Sequence, residues 1–312
     1  MRLYRYAPRA RGSTALIAVA VDGKRPVGLL EAWWEAAAGR PGEAEPWLTS
    51  TLRLIEEGPS LWQSVAQAAR ESTAEPVDQD GDVRWLCPLD GAASLRDFLA
   101  FEDHVRLGAQ RRNVAVPPYW YEAPVYYKGN HRSLMGPDEP CAWPAGTDFL
   151  DFELELAMII GASGRDIPPE EAPGHIFGFT VFNDFSARDV QAKEMSAWLG
   201  PAKGKDFANA LGPCIVTVDE LGAAPDLAMA CSVNGVEWGR ARSSAMHWRW
   251  ADMIAHVSSG EDIWPGDVYG SGTPGGCCGL DLGRRLEPGD IVELAVERIG
   301  VLRNRISAPP PK

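Results

Sequence analysis

Two glutamates separated by one residue, Glu153 and Glu155, stand in the stretch DFELELAMII, and a third acid, Asp184, closes the later apolar run HIFGFTVFND. From Asp151 to Ile160 the apolar residues Phe152, Leu154, Leu156 and Met158 share one parity and the two glutamates the other. That two-residue period predicts a β-strand whose carboxylates leave one face while the apolar set packs behind them. A third carboxylate at the end of a neighbouring strand can meet the same point. Three convergent acids repel one another unless a cation lies among them. An all-oxygen donor set suits Mg²⁺, Mn²⁺ or Ca²⁺ better than zinc or copper. The stretch from Thr147 to Val190 therefore predicts the metal-binding floor of an active site.

The rest of the chain must position that floor. Its 312 residues, 45% apolar and 23% charged, suffice for one large domain and a small one with a substantial core. A net charge of −13 with no basic run argues against nucleic acid and anionic membrane as partners, but not against a small anionic substrate. No apolar run approaches membrane-spanning length, and MRLYRYAPRARG lacks the features of a signal peptide. The six cysteines form no CxxC pair, so reduced thiols and a cytoplasmic location are the expectation.

Residues 1–31 read as short strands, RLYRYA, TALIAVAV and RPVGLLEA, with a hairpin turn at Asp22–Lys24. Helical patterning follows from Trp33 to Glu71, then a polar loop at Asp78–Gly81 and a strand at Val83–Leu89. Ser94–Asn113 reads as one helix, on which Asp97 and His104 share a face two turns apart. The plainer alternative makes Asp97 a first-turn acid and His104 a surface residue. The aromatic segment Tyr119–Asn130 offers a phenol and an ammonium to a pocket, or else simply covers core edges. Arg188 and Gln191 follow Asp184 at helical spacing; the bland reading has Asp184 capping that helix and Arg188 paired on its surface. Lys205, taken alone, reads as a solvated lysine. Gly270, Gly272 and Gly275 satisfy GxGxxG, yet no helix follows to receive a pyrophosphate. A glycine-rich loop with Thr273 at its centre suits donors closing on a carboxylate or enolate.

Four motifs in one order, DFELELA, HIFGFTVFNDFSARDVQ, KGKDFANALGP and GSGTPGG, make residues from about Ser94 to Ile306 resemble the fumarylacetoacetate hydrolase family. The resemblance implies an α+β, mainly β fold, a mixed β-roll or barrel at residues 86–312 behind a small β-rich module at 1–85, and usually a homodimer. It places metal ligands on Glu153, Glu155 and Asp184. A D-x6-H element of the long hydrolytic branch falls on Asp97, a fourth ligand, and His104, a base. Lys205 matches the lysine that steadies developing negative charge. Tyr127 with Lys128 beside it, Arg188, Gln191 and Thr273 fall on the substrate side.

The match has departures. Leu99 and Met195 stand where mammalian-type members carry tyrosines, and Asn113 where they carry an arginine. GGCCGLDLG offers no clear counterpart to the glutamate that orients the histidine. The implied cofactor is a divalent cation, Mg²⁺ first, with Mn²⁺ or Ca²⁺ suiting the same donors. The implied reaction is hydrolysis of a carbon–carbon bond in a β-diketo acid, an acylpyruvate or a fumarylacetoacetate-like molecule. The alternative is a 2-oxo acid decarboxylase, hydratase or isomerase on the same metal platform. A non-catalytic, metal-stabilised binding protein is the reading from a different class.

Overall fold

The computed structural model describes residues 1–10, 13–36, 45–77 and 81–308. The polar loop read at Asp78–Asp80 and the tail beyond Ala308 lie outside the described residues. Strands dominate. A mixed sheet of eleven strands runs in the order Val27–Gly28, Leu16–Ala20, Arg2–Pro8, Asn209–Thr217, Ile176–Asp184, Leu154–Ile160, Val268–Gly270, Leu95–Phe98 and Tyr126–Gly129. Val83–Leu86 joins it beside Arg2–Pro8, and Leu134–Met135 beside Asn209–Thr217. Among the described residues the path begins and ends on different strands, so this mainly β, α+β fold is an open sheet with no closed barrel. A second sheet of four strands has the order Val236–Arg242, Ala228–Val233, Ile291–Val296, Gly300–Arg305.

The central strands of the large sheet, Leu154–Ile160 and Ile176–Asp184, are buried on both faces, and side-chain parity sorts their residues between two cores. Leu154, Leu156, Met158 and Ile160 pack with Val181, Tyr269 and the four-stranded sheet's Met229, Val292 and Leu294. Ala157 and Ile159, of the glutamates' parity, pack instead with Leu95, Phe182, Val268 and residues of the N-terminal segment such as Leu3, Val19, Leu29, Leu54 and Val65. Two helices of that segment, Thr51–Glu56 and Pro59–Glu71, follow the expected pattern, and Trp62 of the second lies edge-on to Phe177 with centroids 4.7 Å apart. Arg2–Pro8 pairs with Asn209–Thr217, so the N-terminal strands extend the sheet that carries the site.

Two expectations are corrected. RPVGLLEA is a strand only at Val27–Gly28; from Leu29 to Ala36 it is helical, with Leu29 and Ala32 turned into the core. Ser94–Asn113 is not one helix. Leu95–Phe98 is a fully buried strand, and the helix begins only at Glu102 and runs to Arg111. Leu95, Phe98, Phe101 and Val105 recur at intervals of three and four, which imitates a helical stripe. Pairing decides otherwise: Leu95–Phe98 lies parallel to Val268–Gly270 on one side and antiparallel to Tyr126–Gly129 on the other. Sheet contacts thus override the local pattern, as tertiary context does. The helix then starts with Glu102 and Asp103 in its first turn, where acids complement its dipole.

Candidate active site

The sheet register brings the acids together. Asp97 sits directly across from Tyr127 on one neighbour and Gly270 on the other, and Gly270 sits across from Ala157. Glu155 follows two residues before Ala157 on the same face and lies opposite Phe182, two residues before Asp184. Four carboxylate oxygens, one each from Asp97, Glu153, Glu155 and Asp184, lie within 4.8 Å of one another, and all four residues are buried. Asp97 reaches the cage from a strand and not from a helix face shared with His104.

Gly270 makes the space. A Cβ there would stand 2.5 Å from Asp97 Oδ1 and 2.8 Å from Glu155 Oε2. We expect Gly270→Ala to weaken divalent-cation binding by at least ~10–100-fold, as for other residues that support a metal's ligands. Mn²⁺ titration reads this directly, and wild-type affinity in the variant would show that the cage tolerates the methyl group.

The donor set fits a hard divalent cation. Asp97 Oδ1, Glu155 Oε1 and Asp184 Oδ1 are buried without a hydrogen-bond partner. Such orphaned oxygens are costly unless something positive meets them. Burial, then repulsion from neighbouring acids, pushes the carboxyls of Asp97 and Glu155 well above the usual range. Burial raises Asp184 too, with Lys205 opposing. Glu153 goes the other way: burial would raise it, but Arg188 and Lys205 together hold it below the usual range.

A pH dependence follows. The unfolded carboxylates release protons near ~4, whereas Asp97, Glu155 and Asp184 in the cation-free native chain hold theirs to higher pH. Between those limits the native state binds more protons, so its stability falls as pH rises through the window. Denaturant unfolding in EDTA should show that decline from pH 4 upward, and excess Mg²⁺ should flatten it. Equal slopes with and without Mg²⁺ would contradict the cage.

Lys205, which sequence alone gave no reason to single out, is buried with its ammonium donating to both Glu153 and Asp184. Tyr127 donates its hydroxyl to Asp184 Oδ2 at 2.8 Å. Lys128, the next residue on that strand, is exposed and alternates to the other side. Arg188 is not a surface partner. Its Nε donates to Asp151 at 2.8 Å, and its Nη2 donates to Glu153 at 2.9 Å. Gln191 accepts from the same guanidinium at 3.3 Å. The helix Arg188–Ser196 has Ala187 at its N-cap, so Asp184 remains a strand-end acid. Thr273 is buried and its hydroxyl donates to the Cys277 carbonyl within its own loop at 3.3 Å. The loop's Gly272 N–H donates to Glu155 at 2.9 Å.

Removing one member of a buried ion pair typically costs ~3–5 kcal/mol. Arg188→Met should therefore destabilise the protein by about that much, because Asp151 and Glu153 would lose their shared cation. Thermal or urea unfolding tests it, and a loss under ~1 kcal/mol would mean the pair is dispensable.

His104 lies in the first turns of its helix with its side chain 13% exposed. Its Nε2 is 4.0 Å from Glu153 Oε1, and its Nδ1 is 2.8 Å from Asp281 Oδ2. Asp281 belongs to the short helix Gly279–Leu282, inside the segment GGCCGLDLG where no orienting acid was recognised. Arg111, two turns beyond His104 on the same helix, donates to Asp281 Oδ1 at 2.7 Å, and the Gly276 N–H donates to Oδ2 at 3.1 Å. Burial would raise the Asp281 carboxyl, but His104 and Arg111 hold it below its usual value. The arginine that reaches this part of the site is Arg111. Leu99 and Met195, the two departures, contribute a backbone carbonyl to Trp120 at 2.8 Å and an exposed side chain respectively.

Residues 94–307 match the fumarylacetoacetate (FAA) hydrolase C-terminal family, a span that holds every acid of the cage together with His104, Lys205 and Asp281. The chain belongs to the fumarylacetoacetate hydrolase family. Over 272 residues it is 32% identical to the mitochondrial oxaloacetate tautomerase Fahd2a of Rattus norvegicus, covering 84% of this chain and 81% of that one. It is 30% identical over 251 residues to the 2,4-didehydro-3-deoxy-L-rhamnonate hydrolase of a Sphingomonas species, covering 78% and 84%. Among solved structures, a fumarylacetoacetate hydrolase from Exiguobacterium antarcticum superposes with a TM-score of 0.77 at 26% identity over 99% of each chain. Family members are enzymes, and they divide between hydrolases, isomerases and tautomerases. No helix among the described residues is long and apolar enough to cross a membrane.

Proposed function

We propose that this protein is a divalent-metal-dependent hydrolase that cleaves a carbon–carbon bond in a β-diketo acid of the acylpyruvate type. The observation that carries this reading is the imidazole of His104. One nitrogen is pinned by Asp281, and the other faces the acid cage across 4.0 Å. A histidine fixed in this way is placed to take a proton from water beside the cage. Asp97, Glu153, Glu155 and Asp184 would hold Mg²⁺ or Mn²⁺. Once bound, the cation supplies Lewis-acid polarisation of the substrate's keto oxygens.

The chain's own residues do the rest. Asp281, itself held by Arg111, keeps the ring from turning. His104 takes the proton of a water directed at the acyl carbonyl, and that water's oxygen ends in the released carboxylate. The pyruvate fragment departs with the electron pair as an enolate, steadied by the buried ammonium of Lys205, and gains a proton at carbon. Tyr127 and Arg188 hold Asp184 and Glu153 in place, and Gln191 and Thr273 line the approach.

The rat tautomerase at 32% identity supports a second reading, in which the same cage stabilises an enolate and His104 moves a proton to or from carbon with no water added. Incubating simple acylpyruvates with Mn²⁺ in ¹⁸O-water separates the two. Hydrolysis yields pyruvate and a labelled carboxylic acid. An isomer of unchanged mass, or carbon dioxide, would favour the platform's other chemistry and remove the hydrolase reading.

A further inference from the structure

Beside the carboxylate cage lies a second group of donors with a different chemical character. The Cys278 thiol, a ring nitrogen of His104 and a carboxylate oxygen of Asp281 all lie within 4.8 Å of one another. Cys278 is fully buried, and its backbone forms an isolated bridge with Glu153, which ties the thiol's position to the cage. His104 is the member of the group with part of its side chain exposed, so it marks the way in.

From these donors we infer a second, thiophilic metal site at His104, Cys278 and Asp281, which takes a zinc-class cation and in doing so disables the base. Softness decides the partition. The four-carboxylate cage favours Mg²⁺ or Mn²⁺, whereas a thiolate with an imidazole and one carboxylate favours Zn²⁺ or Cd²⁺. Ordinary Zn–N and Zn–O lengths of ~2.0–2.2 Å require the 2.8 Å contact between His104 and Asp281 to open slightly. Coordination displaces the thiol proton to solvent, while the neutral imidazole binds through its lone pair and keeps its one N–H; no oxidant or reductant is involved. A fourth position remains for water or for Glu153, whose Oε1 lies 4.0 Å from His104 Nε2. The metal then occupies the lone pair of the His104 ring, which is no longer free to accept a proton.

Binding itself does not depend on the hydrolase reading; the inhibitory consequence does, because it needs His104 as the base. Cd²⁺ added to the Mg²⁺-loaded protein tests binding without turnover, through the ultraviolet thiolate-to-cadmium charge-transfer band. We expect the band to saturate at one equivalent per chain and to disappear in Cys278→Ser. It should persist in Cys231→Ser, the control for a second buried thiol, which donates to the Gly239 carbonyl at 3.7 Å. A band retained in Cys278→Ser, or lost in Cys231→Ser, overturns the assignment. Should Cys278→Ser fail to fold, Cys278→Ala is the substitute, its smaller side chain fitting the same space. With Mg²⁺ saturating, Zn²⁺ should lower wild-type turnover by at least ~10²-fold. The same inhibition in Cys278→Ser should need at least about tenfold more Zn²⁺, a loss of roughly 1.4 kcal/mol in affinity. Equal zinc sensitivity in the two proteins would place the inhibitory metal in the carboxylate cage instead.

Discussion

His104→Ala lowers turnover by ~10²–10⁴ while metal affinity stays near that of the wild type, the loss typical of a missing general base. The expectation rests on separation of roles. The ring is not among the four residues of the carboxylate cage, and its nearer nitrogen lies 4.0 Å from Glu153. Removing it leaves those oxygens, Lys205 and Arg188 where they are. Asp281→Asn should cost less, since the ring survives but loses the carboxylate that fixes its orientation. Steady-state kinetics of both variants, beside Mn²⁺ titrations, read the two effects apart. Unchanged turnover in His104→Ala would strip the residue of its role, and a collapse of Mn²⁺ affinity would mean that the ring belongs to the metal site.

Glu155→Gln has the second large effect, and its sign differs between activity and stability. Turnover should fall to background at ordinary Mg²⁺ concentrations, because an amide is a poor ligand where a carboxylate is required. Without a cation, however, the variant should be more stable than the wild type. Glu155 is raised by burial and then by Asp97 and Asp184, so its ionisation opposes folding. An amide keeps the oxygen that accepts from Gly272 and offers a donor toward the unpartnered oxygen of Asp97. A gain in stability at neutral pH in EDTA is therefore expected. Urea unfolding measures it; a clear loss of stability would show that the acids are not in conflict.

The cage was legible in the sequence because the alternation read along Asp151–Ile160 sends both glutamates to one side, although the strand itself begins at Leu154 and Glu153 stands just before it in an isolated bridge with Cys278. Asp184 was legible as the end of an apolar run. Asp97 and His104 came from the family motif, and the helix drawn through both failed. Leu95, Phe98, Phe101 and Val105 carry a helical spacing, while the pairing that makes Leu95–Phe98 a strand comes from residues 126–129 and 268–270, far along the chain. Lys205 and Arg188 look like solvated charges until burial is known, and burial is a property of the whole fold. Asp281 was missed because its segment is built differently from the expected glutamate's. A short helix at Gly279–Leu282 delivers the carboxylate to His104 by a route that spacing does not reveal.

Direct counting of bound Mn²⁺, by electron paramagnetic resonance of the free ion or by equilibrium dialysis, bears most closely on the meeting of four acids at one cation. One Mn²⁺ should bind per wild-type chain, compete with Mg²⁺, and be lost in Asp97→Asn as well as in Glu155→Gln, while His104→Ala still binds one. A wild-type chain that binds no Mn²⁺, or an Asp97→Asn variant that binds it as tightly, would contradict the account.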